Sequence, residues 1–155
     1  DLFAGRGLSV KIHTENNADG VRKTLEAMAS RSSGLIFTNL VEFDMVWGHR
    51  NDPVGFANGL AEFDVSLEKI LNQMSASDAL FIVADHGIDP TTPSTDHSRE
   101  LVPLLVYGPS LPAGVNLGIR STYADLAATI CDIFDLPKAA MVQTGGESFL
   151  RSITA

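Results

Sequence analysis

The chain has 155 residues, of which 45% are hydrophobic and 19% charged, and its formal net charge is -8. These totals are typical of one globular domain with a buried core, and the negative charge argues against nucleic acid or an anionic membrane as a partner, since both require a basic patch. The single cysteine, Cys131, excludes an internal disulfide and is compatible with a cytoplasmic location. No apolar run is long enough to span a bilayer. We expect a single domain over residues 1–155, and the first residue, Asp1, indicates a segment of a longer protein.

The first part of the chain alternates short strand patterns with a helical one. Residues 8–12 form a short strand candidate, and residues 35–40 form a second, more apolar one. Between them, residues 17–30 predict a helix, because their apolar residues recur at helical spacing.

A long amphipathic helix is predicted from Pro53 to Met74. Asp52 suits the N-cap position, and Pro53 suits the first helical position. Gly55 and Gly59 each weaken this helix by roughly 1 kcal/mol relative to alanine. Close packing of the helix against the sheet is one explanation for their presence.

The second part continues the alternation. Residues 79–84 form a continuous apolar strand of the kind buried on both faces, and residues 101–107 form another, irregular or near an edge because Pro103 lacks an N–H. Thr122 and Asp125 resemble a variant of the capping box before a third helix. The pattern predicts the α/β class, with a mainly parallel sheet flanked by helices.

Three of the four histidines stand beside or near carboxylates that follow predicted strands. The candidate ligands are Asp44, His49, Asp85, His86 and His97. If the sheet is parallel, these residues converge at the carboxyl ends of the strands. Gly87 allows a sharp turn there, and the loop 88–95 can fold back onto the same place. Carboxylates and imidazoles together bind ions such as Mn²⁺ or Zn²⁺, so the sequence predicts a binuclear divalent-metal site of the kind that clamps a transferring phosphoryl group.

Other polar residues near this region have simpler interpretations. Asp52 and Asp89 are read as cap or turn residues, and Asp96 as a turn or supporting residue instead of a ligand. His13 has no adjacent carboxylate and favours a surface or loop position. Arg50 has two open roles: contact with a phosphate, or an ion pair with a local carboxylate.

Several of these strings resemble a known family. Val83-Ala84-Asp85-His86-Gly87 is similar to the metal motif of the alkaline phosphatase superfamily, and the longer strings resemble bacterial phosphopentomutases. Those strings are Phe3-Ala4-Gly5-Arg6-Gly7, His13-Thr14, Asp19-Gly20, Thr38-Asn39-Leu40-Val41-Glu42-Phe43-Asp44, Gly48-His49-Arg50, Asp52-Pro53, Thr95-Asp96-His97-Ser98-Arg99-Glu100 and Val102-Pro103-Leu104-Leu105-Val106-Tyr107. The resemblance extends from Asp1 to about Leu150.

The resemblance implies an alkaline-phosphatase-like core and an isomerase that interconverts ribose 1-phosphate and ribose 5-phosphate, or their 2-deoxy forms. It implies two Mn²⁺ ions and a phosphorylated threonine. By motif, Asp85 and His86 would ligate one ion, and the other would be held by Asp44, His49 and His97.

The resemblance also implies parts that this chain does not match. In the family, a further metal-binding aspartate, the nucleophilic threonine and a cap domain precede the segment that resembles Asp1. No threonine here matches the nucleophile's motif, and Thr38 and Thr95 are interpreted as structural. We therefore expect the C-terminal part of the metal-binding core, with no catalytic residue of its own, inactive alone and prone to self-association through exposed core surface.

Two alternatives remain open at this point. One is another metal-dependent phosphohydrolase, or a cofactor-independent phosphoglycerate mutase, of the same superfamily. The other is a metal-binding module without catalytic activity.

Overall fold

The computed structural model describes residues 3–30, 33–137 and 145–155. The chain divides into two compact units: the first comprises residues 1–75 and 86–102, and the second comprises residues 76–85 and 103–155. A single domain over residues 1–155 stays a prediction. Within the described ranges, no helix combines the length and apolar character that a membrane crossing requires.

The first unit contains the predicted helices at nearly the predicted bounds. Helix α1 spans Asn17–Ser30 and helix α2 spans Pro53–Gln73. Two short turns precede α2: a π-helical turn at Phe43–Trp47 and a 3-10 turn at Gly48–Arg50. The predicted N-cap of α2 is confirmed, because the Asp52 carboxylate accepts a 2.8 Å hydrogen bond from the Gly55 N–H.

The two glycines of α2 make room for the indole of Trp47. A Cβ atom at Gly59 would lie 2.3 Å from Cζ3 of Trp47, and one at Gly55 would lie 2.5 Å from its Cδ1. Both distances are too short for any side chain. Within the first unit, these glycines accommodate an aromatic side chain of the turn that precedes the helix, and their packing against the sheet stays a prediction.

The second unit contains a two-stranded sheet, β1 (Leu80–Val83) and β2 (Leu104–Tyr107). The strands are antiparallel, with Leu80 opposite Tyr107. The mixture of helices and strands agrees with the predicted class. However, the expectation of a mainly parallel sheet is wrong for this pair, because the chain returns beside β1 in the opposite direction. Strand β2 begins directly after Pro103, in agreement with the missing N–H at that position.

Two segments that the sequence predicts as strands, residues 8–12 and 35–40, do not form strands in the structure. Leu35 and Phe37 are 60% and 59% exposed. An apolar sequence favours a strand, but a strand also needs a neighbour for its N–H and C=O groups. Within the described residues, neither segment has such a ladder. Self-association through this exposed apolar surface stays a prediction.

The second unit is also held together by a buried carboxylate on α3 (Ala124–Ile133). Asp125 is 4% exposed. Its Oδ1 accepts the Glu147 N–H at 2.8 Å, and its Oδ2 accepts Nε–H of Arg120 at 2.6 Å. The Glu147 N–H lowers the pKa of Asp125 most, outweighing the opposing effect of burial, and Arg120 lowers it further. This carboxylate thus joins α3 to the C-terminal segment.

The predicted capping box of α3 is wrong, because Tyr123 occupies the N-cap position and makes no capping hydrogen bond with its side chain. The Thr122 hydroxyl oxygen accepts the Ala124 N–H at 3.2 Å, whereas Asp125 makes the long-range contacts just described. Thr129, also buried, donates to the Asp125 carbonyl and accepts the Phe149 N–H. The short helix α4 (Leu150–Thr154), which the sequence pattern did not predict, follows directly.

Candidate metal centre

The π-helical turn of the first unit carries Asp44, and the 3-10 turn that follows carries His49. Single π-helical turns are rare in proteins, and many of those that occur lie at functional sites. The two turns join at Gly48, which is buried. A Cβ atom there would lie 2.8 Å from the carbonyl oxygen of Phe43 and 2.4 Å from Cδ1 of Ile88. Glycine at this position therefore permits the chain reversal that brings His49 back beside Asp44.

A second segment of the same unit carries His86 and His97. Gly87 and Ser98 form an isolated antiparallel bridge, in which the Ser98 N–H donates to the Gly87 carbonyl at 2.9 Å. The bridge closes the loop between the two histidines, and their rings stack with centroids 3.5 Å apart and an interplanar angle of 16°. The predicted turn at Gly87 and the folding back of His97 both agree with this geometry.

Three imidazoles converge on one oxygen atom, Oδ1 of Asp44. The Nε2 atoms lie 3.2 Å away for His49, 3.4 Å for His97 and 3.7 Å for His86. The oxygen is buried and has no hydrogen-bond partner within the described part of the chain. A buried carboxylate oxygen without a donor is costly, so this arrangement calls for a positive charge among these four side chains.

The Nδ1 atoms of two of these rings have backbone acceptors of their own. Nδ1 of His49 lies within hydrogen-bond distance of the Thr95 carbonyl, and Nδ1 of His86 lies 3.2 Å from the Gly87 carbonyl. A carbonyl oxygen only accepts, so each Nδ1 carries the hydrogen, and the Nε2 atom beside Asp44 is the ring nitrogen that can bind a cation. Backbone carbonyls that orient imidazoles in this way are typical of metal sites.

The donor set fits a divalent ion of borderline softness. One carboxylate and neutral imidazoles suit Mn²⁺ or Zn²⁺, and single ligand atoms of Asp44, His86 and His97 lie within 4.8 Å of one another. Of the five predicted ligands, the first unit thus brings four together. Asp85 lies in the second unit, two residues after β1, and its role as a ligand stays a prediction.

The remaining polar residues have the simpler roles expected of them. His13 is exposed. Asp89 forms a turn in which Oδ1 accepts both the hydroxyl and the N–H of Thr91, and these two hydrogen bonds lower the pKa of Asp89. The N–H of Asp96 donates to the Ser94 hydroxyl oxygen. Arg50 is the exception: its guanidinium donates to the carbonyl of His49 at 3.4 Å, and both roles considered for it stay predictions.

Two contributors to the site were not identified from the sequence. The carbonyl of Thr95 fixes the ring of His49, and a backbone carbonyl leaves no signal in a sequence. Asn51 adopts the left-handed conformation, with φ 51° and ψ 45°, and donates from Nδ2 to the Thr92 carbonyl at 3.0 Å. Asparagine after a helical turn and before Asp-Pro is a signal for that conformation.

Comparison with known proteins agrees with a metal centre. The family model of the metalloenzyme superfamily matches residues 4–138. The chain is 54% identical over 153 residues to a phosphopentomutase of Clostridium novyi, covering 99% of this chain and 38% of that protein. It is 56% identical over 138 residues to a phosphopentomutase of Thermotoga maritima, covering 88% of this chain and 35% of the relative. The chain thus spans between a third and two fifths of the length of these relatives.

Proposed function

This chain belongs to the metalloenzyme superfamily, and from that premise we propose that it forms the metal-binding part of a phosphopentomutase. The observation that carries the proposal is the buried Oδ1 of Asp44, which lacks a donor and faces the Nε2 atoms of three histidines. The identity of over 50% to phosphopentomutases across nearly the whole chain supports this reaction over others of the superfamily.

The proposed reaction of the intact protein is the interconversion of ribose 1-phosphate and ribose 5-phosphate, or their 2-deoxy forms. A phosphothreonine donates its phosphoryl group to the sugar phosphate. The resulting bisphosphate turns over and returns its other phosphoryl group to the threonine, so that no phosphate is gained or lost. When bound, two Mn²⁺ ions would neutralise charge on the transferring group and on the attacking oxygen.

In this scheme, the residues of the chain hold and orient the two ions. We assign Asp44, His49 and His97 to one ion, and Asp85 and His86 to the other. This partition follows the family motifs alone, because in the structure single ligand atoms of His86, Asp44 and His97 also lie within 4.8 Å of one another. The carbonyl of Thr95 keeps the hydrogen on Nδ1 of His49 and so leaves Nε2 available for binding.

We extend the proposal to the setting of the site. An alkaline-phosphatase-like core with a mainly parallel sheet is proposed for the intact protein, with support from the superfamily match over residues 4–138. The free thiol of Cys131 is compatible with the cytoplasm as its location.

Phosphorus NMR tests the proposed function. A full-length protein containing this chain, supplied with Mn²⁺, is expected to convert ribose 1-phosphate into ribose 5-phosphate and to leave 3-phosphoglycerate unchanged. If the protein converts 3-phosphoglycerate and not ribose 1-phosphate, the proposal is wrong and a phosphoglycerate mutase takes its place. The 155-residue chain by itself is expected to bind Mn²⁺ without turnover, and turnover by it would contradict the assignment as one part of the enzyme.

A further inference from the structure

Asn51 links the turn that carries His49 to the loop that carries His97. Its backbone is left-handed, its N–H donates to the Gly48 carbonyl at 3.1 Å, and its side-chain amide donates to the Thr92 carbonyl at 3.0 Å. This side-chain contact joins residues 41 positions apart. It lies within the first unit, among the segments that form the metal centre.

The loop that Asn51 contacts is well defined by its own hydrogen bonds. The Gly87–Ser98 bridge closes its base. Near its middle, the N–H and the hydroxyl of Thr92 both donate to the Asp89 carbonyl, at 3.2 and 3.0 Å. A contact at Thr92 therefore fixes the loop as a body, including the Thr95 carbonyl, which lies three residues further along and accepts from Nδ1 of His49.

We propose that Asn51 is a positioning residue of the metal centre. By holding the Thr92 carbonyl, its amide keeps the Thr95 carbonyl against the ring of His49, which keeps the hydrogen on Nδ1 and the lone pair on Nε2. The inference rests on the proposed metal centre, and it adds a residue that lies outside the predicted set of ligands.

The chemistry of the position accounts for asparagine. The residue must tolerate a positive φ, which favours glycine, asparagine and aspartate. It must also donate to a carbonyl, which glycine and ionised aspartate do not do. Asn51→Gly keeps the backbone and removes the donor, and Asn51→Asp keeps the shape but places a carboxylate against the Thr92 carbonyl. Asn51→Gly also removes the buried side-chain oxygen, which has no hydrogen-bond partner among the described residues.

The test measures Mn²⁺ binding and the tautomer of His49 in the 155-residue chain. We expect both variants to raise the Kd for Mn²⁺ by about tenfold, as observed for residues that orient metal ligands. Nitrogen-15 NMR of the metal-free chain should show the Nδ1–H tautomer of His49 in the wild type and a mixture of tautomers in the variants. Asn72→Asp, an exposed position near the end of α2, is the matched charge control and should change neither.

The possible results separate the two proposals. If the wild type does not bind Mn²⁺, the metal centre itself fails. If the wild type binds but both Asn51 variants bind within twofold of it with the tautomer unchanged, the positioning role is wrong. A measurement on the wild type needs no variant: the side-chain amide protons of Asn51 should exchange more slowly after diamagnetic Zn²⁺ is added. An unchanged exchange rate would overturn the inference even where the variants fail to fold.

Discussion

The rings of His86 and His97 stack at a centroid distance of 3.5 Å, and their Nε2 atoms lie 3.7 and 3.4 Å from the same oxygen of Asp44. The pair is held by the backbone bridge between their neighbours, Gly87 and Ser98. The geometry of the proposed metal centre therefore depends on a backbone contact next to each of these histidines as well as on the histidines themselves.

Substitution of Gly87 by alanine should disrupt that bridge. A Cβ atom at this position would lie 2.7 Å from the Ser98 carbonyl oxygen and 2.9 Å from the backbone nitrogen of Glu100. Backbone atoms cannot rotate away as a side chain can, so the two segments joined by the Gly87–Ser98 bridge must move apart. We expect Gly87→Ala to lower stability by about 1–3 kcal/mol and to weaken Mn²⁺ binding, measured by urea denaturation and by calorimetry.

A second glycine variant serves as the control for Gly87→Ala. Gly114, in the second unit, has φ +77° and open space around its Cβ position, so Gly114→Ala introduces backbone strain of about 1 kcal/mol without contact with the loop. It should lower stability and leave Mn²⁺ affinity unchanged. Equal losses of affinity in both variants would mean that Gly87 acts only through general stability.

Replacing the carboxylate of Asp44 should weaken Mn²⁺ binding without lowering the stability of the metal-free chain. Asp44→Asn keeps the shape but removes the charge, so Mn²⁺ affinity should fall by at least about a hundredfold. In EDTA, the amide of the variant can donate a hydrogen bond to a neighbouring Nε2 atom, and stability should be unchanged or higher by about 1 kcal/mol. Calorimetry and thermal denaturation in EDTA measure the two effects. A clear loss of stability without metal would show that Asp44 serves the fold instead of a cation.

Replacing a histidine of the site should weaken Mn²⁺ binding, whereas replacing the histidine outside it should not. His49→Ala and His97→Ala each remove an Nε2 atom within 3.4 Å of the Asp44 oxygen, and each should reduce Mn²⁺ affinity by at least about tenfold. His13→Ala, at an exposed position, should bind Mn²⁺ as the wild type does. Isothermal titration calorimetry of the three variants checks this, and unchanged binding in the first two would remove them from the ligand set.

Asp125 should make the stability of the chain depend on pH in the acidic range. Its pKa is lowered in the folded state, whereas an unfolded aspartate titrates near about 3.9. The carboxylate therefore stabilises the fold fully above that value, and the stabilisation is lost as the pH falls through the lower folded pKa. Asp125→Asn should cost about 3 kcal/mol at pH 7, because Arg120 loses its buried partner. The difference from the wild type should shrink below about pH 4.

Urea denaturation at pH 7, 5, 4 and 3 measures this dependence. Asp132→Asn, an exposed position on the same helix α3, removes the same charge without the hydrogen bonds to Glu147 and Arg120. It should stay close to the wild type at every pH. If the loss of stability caused by Asp125→Asn stays constant down to pH 3, the shape of the side chain matters and its ionisation does not.

The local features of the first unit follow from its sequence. The amphipathic pattern predicts α1 and α2, and Asp52 with Pro53 marks the start of α2, because capping and helical periodicity act within a few residues. The residue types Asp44, His49, His86 and His97 likewise indicate a divalent ion, since ligand preference belongs to the side chain itself.

The sequence alone, then, determined the three longer helices α1, α2 and α3 and contained the types of side chain that bind divalent metals. Only the tertiary structure decided the antiparallel pairing of β1 with β2, the role of Gly55 and Gly59 beside Trp47, and the convergence of three imidazoles on one oxygen of Asp44. The physical reason is that each depends on atoms far apart in the chain. Strand partners, clashes at a missing Cβ and the carbonyl of Thr95 opposite His49 exist only once the backbone has folded.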